Sequence, residues 1–161
     1  MGILRLSHVE VRVPDLELAT AYYTEVVGLY ETAREQDRVF LKCWDEQQHH
    51  SVILTSEPTY GLNHMGWKVR YREDLDYYTD RLAKAGVDVV RYEAGEIGPG
   101  HGEAIRFTLP SGHVMELVYG MQIVGNLLPL VNPPPKPINM VGSAPPRLDH
   151  IFITCEDVAG N

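Results

Sequence analysis

LSHVEVRV, residues 6–13, returns as LNHMGWKV at 62–69 and again as LDHIFIT at 148–154. Leucine, any residue, histidine and then a β-branched or aromatic run reads as the opening of a strand. Met three times, it reads as the opening of a repeat, and a repeat constrains a fold more tightly than local propensity does. His8 and His64 stand 56 residues apart. Downstream of each comes the same Tyr-Tyr-Thr: Tyr22-Tyr23-Thr24 and Tyr77-Tyr78-Thr79. Both sites have helical periodicity. Leu18, Tyr22, Val26 and Leu29 predict one apolar stripe, and Leu75, Tyr78, Leu82 and Ala85 the other. Gly28 and Gly86 follow as left-handed caps.

Three β-rich runs succeed each helix: LYETARE, RVFLKCW and SVILT, then VDVVRYE, AIRFTL and HVMELVY. Polar or Gly/Pro-rich turns such as WDEQQHH, GPGHGE and PSGH separate them. The reading is an α+β domain over 1–120 built from two βαβββ modules, about 5–56 and 61–119. Seven of the 11 prolines fall between Pro129 and Pro146. Proline lacks an amide hydrogen and fixes φ, so 121–146 is expected to be an extended linker. Residues 147–161 then read as the start of a second, truncated domain: a strand over 148–155 and the opening of a helix at DVAGN, 157–161.

The formal charge of −8, from 14 basic and 22 acidic residues, disfavours nucleic acid and anionic membrane surfaces. MGILRLSHVE is too short and too polar for a signal peptide, and there is no long apolar run to span a bilayer. Cys43 and Cys155 form no CxxC pair and read as buried thiols of a reducing, cytoplasmic protein. No nucleophile elbow, phosphate loop or dinucleotide fingerprint is present.

The chemistry lies with the histidines. His8 and His64 occupy equivalent first-strand positions, and Glu116 shares a strand face with Val114 and Val118. Burying a lone carboxylate there is costly. A metal held by His8, His64 and Glu116, an arginine, or a bound water would each offset that cost. Trp67 or Met65 filling the space would leave a hydrogen-bonded cluster without metal. His49 and His50 read as solvated in a polar hairpin, and His101 and His113 as exposed in glycine-rich turns.

LSHVEVRVPDLELATAYYTEVVGL, DRVFLKCWDE, NHMGWKV and PSGHVMEL resemble the N-terminal domain of catechol 2,3-dioxygenases, and RLDHIFI resembles the start of their C-terminal domain. These are extradiol ring-cleaving enzymes of the vicinal oxygen chelate superfamily, with the glyoxalase/dihydroxybiphenyl dioxygenase-like fold. The resemblance implies Fe(II), or Mn(II), held by two histidines and a glutamate in the C-terminal domain. Catechol or an alkylcatechol and O2 are the implied substrates, with 2-hydroxymuconate semialdehyde the product. It further implies His150 as the first iron ligand, and no catalytic residue or cofactor within 1–161. The trio His8, His64 and Glu116 becomes a vestigial site. The family run His-Gly-x-x-Ile leads to an acid–base tyrosine; here His101-Gly102-Glu103-Ala104-Ile105 leads to Arg106, which cannot exchange a proton at working pH. The expected protein is a homo-oligomer, or a chain associated with a missing C-terminal part. The alternative is a freestanding dimeric module of the superfamily that binds a metal or small ligand without catalysis.

Overall fold

In a computed structural model, residues 2–157 are described. The elements run β1 (Ile3–Val13), α1 (Leu16–Ala21), a π-helical turn (Tyr22–Val27), β2 (Tyr30–Arg34), β3 (Arg38–Lys42), β4 (Val52–Ser56), β5 (Gly61–Val69), α2 (Glu73–Lys84), β6 (Val90–Tyr92), β7 (Glu103–Thr108) and β8 (Val114–Tyr119). The order is βαβββ twice, the α+β architecture of a vicinal oxygen chelate module. Contacts gather the chain into two compact units. Among the described residues one comprises 2–9, Leu62–Met121 and 149–157; the other comprises Glu10–Gly61 and Gln122–Leu148.

In the first unit the strands lie in the order β1-β5-β8-β7-β6. β5 and β8 run parallel with Gly66 opposite Glu116, and β7 is antiparallel to β8 with Arg106 opposite Glu116. Alternation sends Trp67, Val69, Ile105, Phe107 and Leu117 to one face. There they pack with Leu75, Tyr78 and Leu82 of α2, so the predicted stripe is the core face as far as Leu82. Glu73, Asp74 and Asp76 in the first turn and Arg81 and Lys84 in the last suit the helix dipole. Gly86 ends the helix at φ 77°, as expected. His64, Arg106, Glu116 and Val118 take the other face.

In the second unit the order is β2-β3-β4-β1. Val39, Phe40, Leu41 and Leu54 are its fully buried centre. The Asp15 carboxylate caps α1 by accepting from the Leu18 amide at 2.9 Å. The helix then widens into the π turn, and Gly28 closes it at φ 83°. The face turned inward is not the predicted stripe, already in α1 before the turn widens. Leu18, Tyr22 and Val26 of the predicted stripe are 67%, 55% and 52% exposed, and only Leu29 is buried. The inward positions are Leu16, Ala19, Thr20, Tyr23 and Val27. Thr20 is buried because its hydroxyl donates to the Leu16 carbonyl at 2.7 Å, which removes the polar cost.

Residues 126–146 contain turns and bends but neither strand nor helix. Their last stretch is held against the end of the π turn. The Ser143 and Ala144 amides donate to the Val26 and Val27 carbonyls at 3.0 and 2.8 Å, and the Trp44 indole donates to the Ala144 carbonyl at 3.1 Å. The contact is close: a Cβ on Gly28 would collide with the Val141 carbonyl, and one on Gly142 with the Val26 carbonyl. The expected strand over 148–155 is absent, because backbone without a ladder partner is no strand. Most of the expected helix opening at 157–161 lies outside the described residues.

Candidate metal centre

Glu116 is wholly buried in the middle of β8, and the sheet register decides what surrounds it. His8 of β1 and His64 of β5 reach it from one side, Arg106 of β7 from the other. Gly66 makes room: a Cβ there would overlap the His8 ring. The predicted trio therefore converges. His8 Nε2 is 3.0 Å from His64 Nε2 and 3.3 Å from Glu116 Oε1, and His64 Nε2 is 3.6 Å from Glu116 Oε2.

Two further residues join it. His101 is buried rather than exposed, with Nε2 2.9 Å from Glu116 Oε1. The turn that carries it is pinned by its own backbone: the Gly95 amide donates to the His101 carbonyl at 2.9 Å, and the His101 amide to the Gly98 carbonyl at 3.3 Å. Arg106 Nε donates to Glu116 Oε2 at 2.6 Å, and Nη2 lies 3.2 Å from His64 Nε2. The guanidinium, not Trp67 or Met65, occupies the space beside the trio. Trp67 packs on the α2 face, and alternation along β5 turns Met65 to the same side.

These contacts fix proton positions. A guanidinium only donates, so His64 Nε2 accepts from Arg106. The proton between the two Nε2 atoms therefore sits on His8, whose N–H also faces Glu116. Burial pushes the His8 pKa down to about 4, against the pull of Glu116, so the ring is neutral at neutral pH. Burial acts to raise the Glu116 pKa, but the His101 and His8 contacts outweigh it and hold the carboxyl well below its ordinary range. His101 donates through Nδ1 to the Gly102 carbonyl at 2.9 Å. Its Nε2 is the ring atom that faces Glu116.

The donor set can hold a metal. Three ligand atoms 3.0–3.6 Å apart match the edges of about 3.3 Å that N/O ligands describe around a tetrahedral zinc-sized ion. Two imidazoles and a carboxylate also suit iron(II). The trio His8, His64 and Glu116 is a candidate metal-binding set, so the expectation that this stretch of chain carries no cofactor has no support in its geometry.

His150 does not join this cluster. Its side chain is exposed and lies 3.2 Å from the Asp149 carboxylate. His49 and His50, expected in solvent, are buried in the second unit, with their Nδ1 atoms 3.0 Å apart and the Phe40 ring beside them. Cys43 is buried as expected, and burial pushes its thiol up to about 12, which makes it unreactive; Cys155 is only half-buried. Among the described residues no helix is long and apolar enough to cross a membrane.

Residues 62–120 match the catechol 2,3-dioxygenase-like N-terminal domain family. Over 94% of its length the chain is 38% identical to a metapyrocatechase of Pseudomonas sp. (strain CF600), covering 50% of that protein. It is 32% identical to a manganese-dependent 2,3-dihydroxybiphenyl 1,2-dioxygenase of Geobacillus genomosp. 3, covering 48% of it. The crystal structure of the 2,3-dioxygenase LapB from Pseudomonas sp. KL28 superposes with a TM-score of 0.87 at 41% identity, over 93% of this chain and 52% of that one. The chain thus spans about half the length of the curated relatives it matches. It belongs to the extradiol ring-cleaving dioxygenases of the vicinal oxygen chelate superfamily, as their N-terminal domain.

Proposed function

We propose that this chain is the N-terminal part of a dioxygenase that opens catechol, or an alkylcatechol, with O2 to give 2-hydroxymuconate semialdehyde. The carrying observation is the 38% identity that covers nearly the whole chain yet only half of a metapyrocatechase. On this reading the ring-opening Fe(II) or Mn(II) is held in the other half, and His150 opens that half as its first ligand. The exposed His150 side chain, in contact with Asp149, is compatible with being recruited there. The domain works in a cytoplasmic homo-oligomer or on its C-terminal part, and residues 121–146 connect the two halves.

The first unit keeps a second donor set of its own. His8, His64 and Glu116 would hold a divalent ion, and such an ion supplies Lewis-acid polarisation of an oxygen ligand. Glu116 brings the negative charge and His8 and His64 bring lone pairs, while Arg106 beside them carries a positive charge that exchanges no proton. That last property sets this cluster apart from an acid–base site, and it supports a non-catalytic role for the chain.

The test is a chimera in which this chain replaces the matched half of the LapB dioxygenase. It is expected to turn catechol yellow by forming the semialdehyde. The isolated chain, reconstituted anaerobically with Fe(II) and then given catechol and oxygen, is expected to stay colourless. Colour from the isolated chain would relocate the chemistry to the histidine–glutamate cluster. A second reading, a freestanding dimeric binding module, draws on that same preformed cluster. It requires a stable dimer by light scattering and a chimera that remains inactive.

A further inference from the structure

Arg106 touches Glu116 and His64 at the atoms those two residues would offer to an ion: Oε2 at 2.6 Å and Nε2 at 3.2 Å. A side chain that engages both ligand atoms already occupies the approach a metal would need. A dication and a guanidinium at such short range also repel each other in a site this dry. Yet Arg106 is not sealed in. Its side chain is 23% exposed, and the guanidinium lies 5.2 Å from the centre of the Tyr92 ring on the neighbouring strand β6. That cation–π contact is made while Arg106 touches Glu116 and His64, so it holds the guanidinium in the plugged position.

The carboxylate is engaged from two sides. Arg106 takes Oε2, while His8 and His101 lie at Oε1, 3.3 and 2.9 Å away. Withdrawing Arg106 would leave His8, His64 and Glu116 as three donors around one locus. That is a set of the kind that binds zinc or cobalt with one position open.

We propose that Arg106 is a removable guanidinium plug in the divalent-cation site formed by His8, His64 and Glu116. Plug and ion occupy the site in alternation, and the position of Arg106 sets the affinity for the ion. This rests on the reading of His8, His64 and Glu116 as metal ligands.

The probe is Co(II), followed by its visible ligand-field absorption, with Zn(II) titrated calorimetrically as a check. The full chain is compared with Arg106→Ala and with Arg106→Gln. The glutamine variant can still donate a hydrogen bond to Glu116 and so protects against a merely unfolded alanine variant. Circular dichroism establishes that each variant is folded. Removing the plug is expected to tighten binding of one ion per chain by about 10–100-fold, the range typical of residues that act around metal ligands. In the Arg106→Gln background, Glu116→Gln is expected to abolish binding, and His64→Gln to weaken it with a changed Co(II) spectrum.

Equal affinities for the parent and both folded plug variants would overturn the plug and leave the metal site standing. An unchanged spectrum on His64→Gln would remove His64 from the ligand set. Failure of every folded variant to bind Co(II) or Zn(II) would overturn the metal site and the plug together.

Discussion

Two helices carry the same Tyr-Tyr-Thr and serve their units differently. In the first unit, α2 is a regular helix whose Leu75, Tyr78 and Leu82 press into the core. In the second, α1 gives way to a π turn, and the comparable residues Leu18, Tyr22 and Val26 face outward. The buried histidines differ in the same way. His8, His64 and His101 gather round a carboxylate and a guanidinium, whereas His49 and His50 pair with each other beside Phe40. A duplicated sequence pattern therefore fixes topology more firmly than it fixes which face is buried or where charge resides. The reason is energetic: strand order follows from the backbone ladder, while a helix with two apolar stripes can bury either one.

The sharpest way to break this contrast is at the charges. Glu116→Ala removes the partner of Arg106 and is expected to cost about 3–5 kcal/mol of stability, read by urea denaturation. A loss below about 1 kcal/mol would mean that the cluster is hydrated rather than coupled. Next comes the core face of α2: Leu75→Ala is expected to cost about 2–5 kcal/mol through lost burial and a cavity.

Acidification probes the histidines of both units. His8 titrates at about 4 in the fold against 6.5 in the unfolded chain, and burial lowers the His49 pKa as well. The unfolded state then binds protons that the native state refuses, so the stability these rings contribute is full above 6.5 and lost as pH falls from 6.5 toward 4. The urea midpoint is expected to fall between about pH 7 and about pH 5, and His49→Gln to shallow that fall by a minor share. A midpoint constant over that window would contradict the buried, neutral rings.

Smaller effects test the second unit's helix. Asp15→Ala removes the cap on the Leu18 amide and is expected to cost about 1 kcal/mol. Leu18→Ser, on the outward stripe, is expected to change stability by no more than about 0.5 kcal/mol. A loss comparable to that of Leu75→Ala would place Leu18 in a core and erase the contrast between the two helices.

Much of this was legible in the sequence. The L-x-H repeat located both modules, and period-two alternation on HVMELVY placed Glu116 inward, so the convergence of His8, His64 and Glu116 follows from the pattern. His101 was hidden because a histidine among glycines looks like a loop residue; only the backbone hydrogen bonds of its turn bring it inside. Arg106 was visible as an unusual residue after Ile105, but its pairing with Glu116 needs the β7–β8 register, which sequence does not print. Leu18, Tyr22 and Val26 misled because Thr20 reads as polar until its hydroxyl is seen to bond within the helix. His49 and His50 misled similarly, since the polar hairpin around them gives no sign of burial.

Gly28 and Gly142 each sit where any side chain would strike a carbonyl of the other's segment. Neither position can be relieved by enlarging or shrinking the other, because the obstacle on both sides is backbone. For anyone recombining such proteins, the two glycines form a single heritable unit. A crossover between them joins a helix end from one parent to a strap from another and risks the Ser143 and Ala144 hydrogen bonds at once. Exchanges that carry residues 10–61 and 122–148 together should yield far more folded chimeras than those cut at the end of β8, even though position 120 looks like the natural seam.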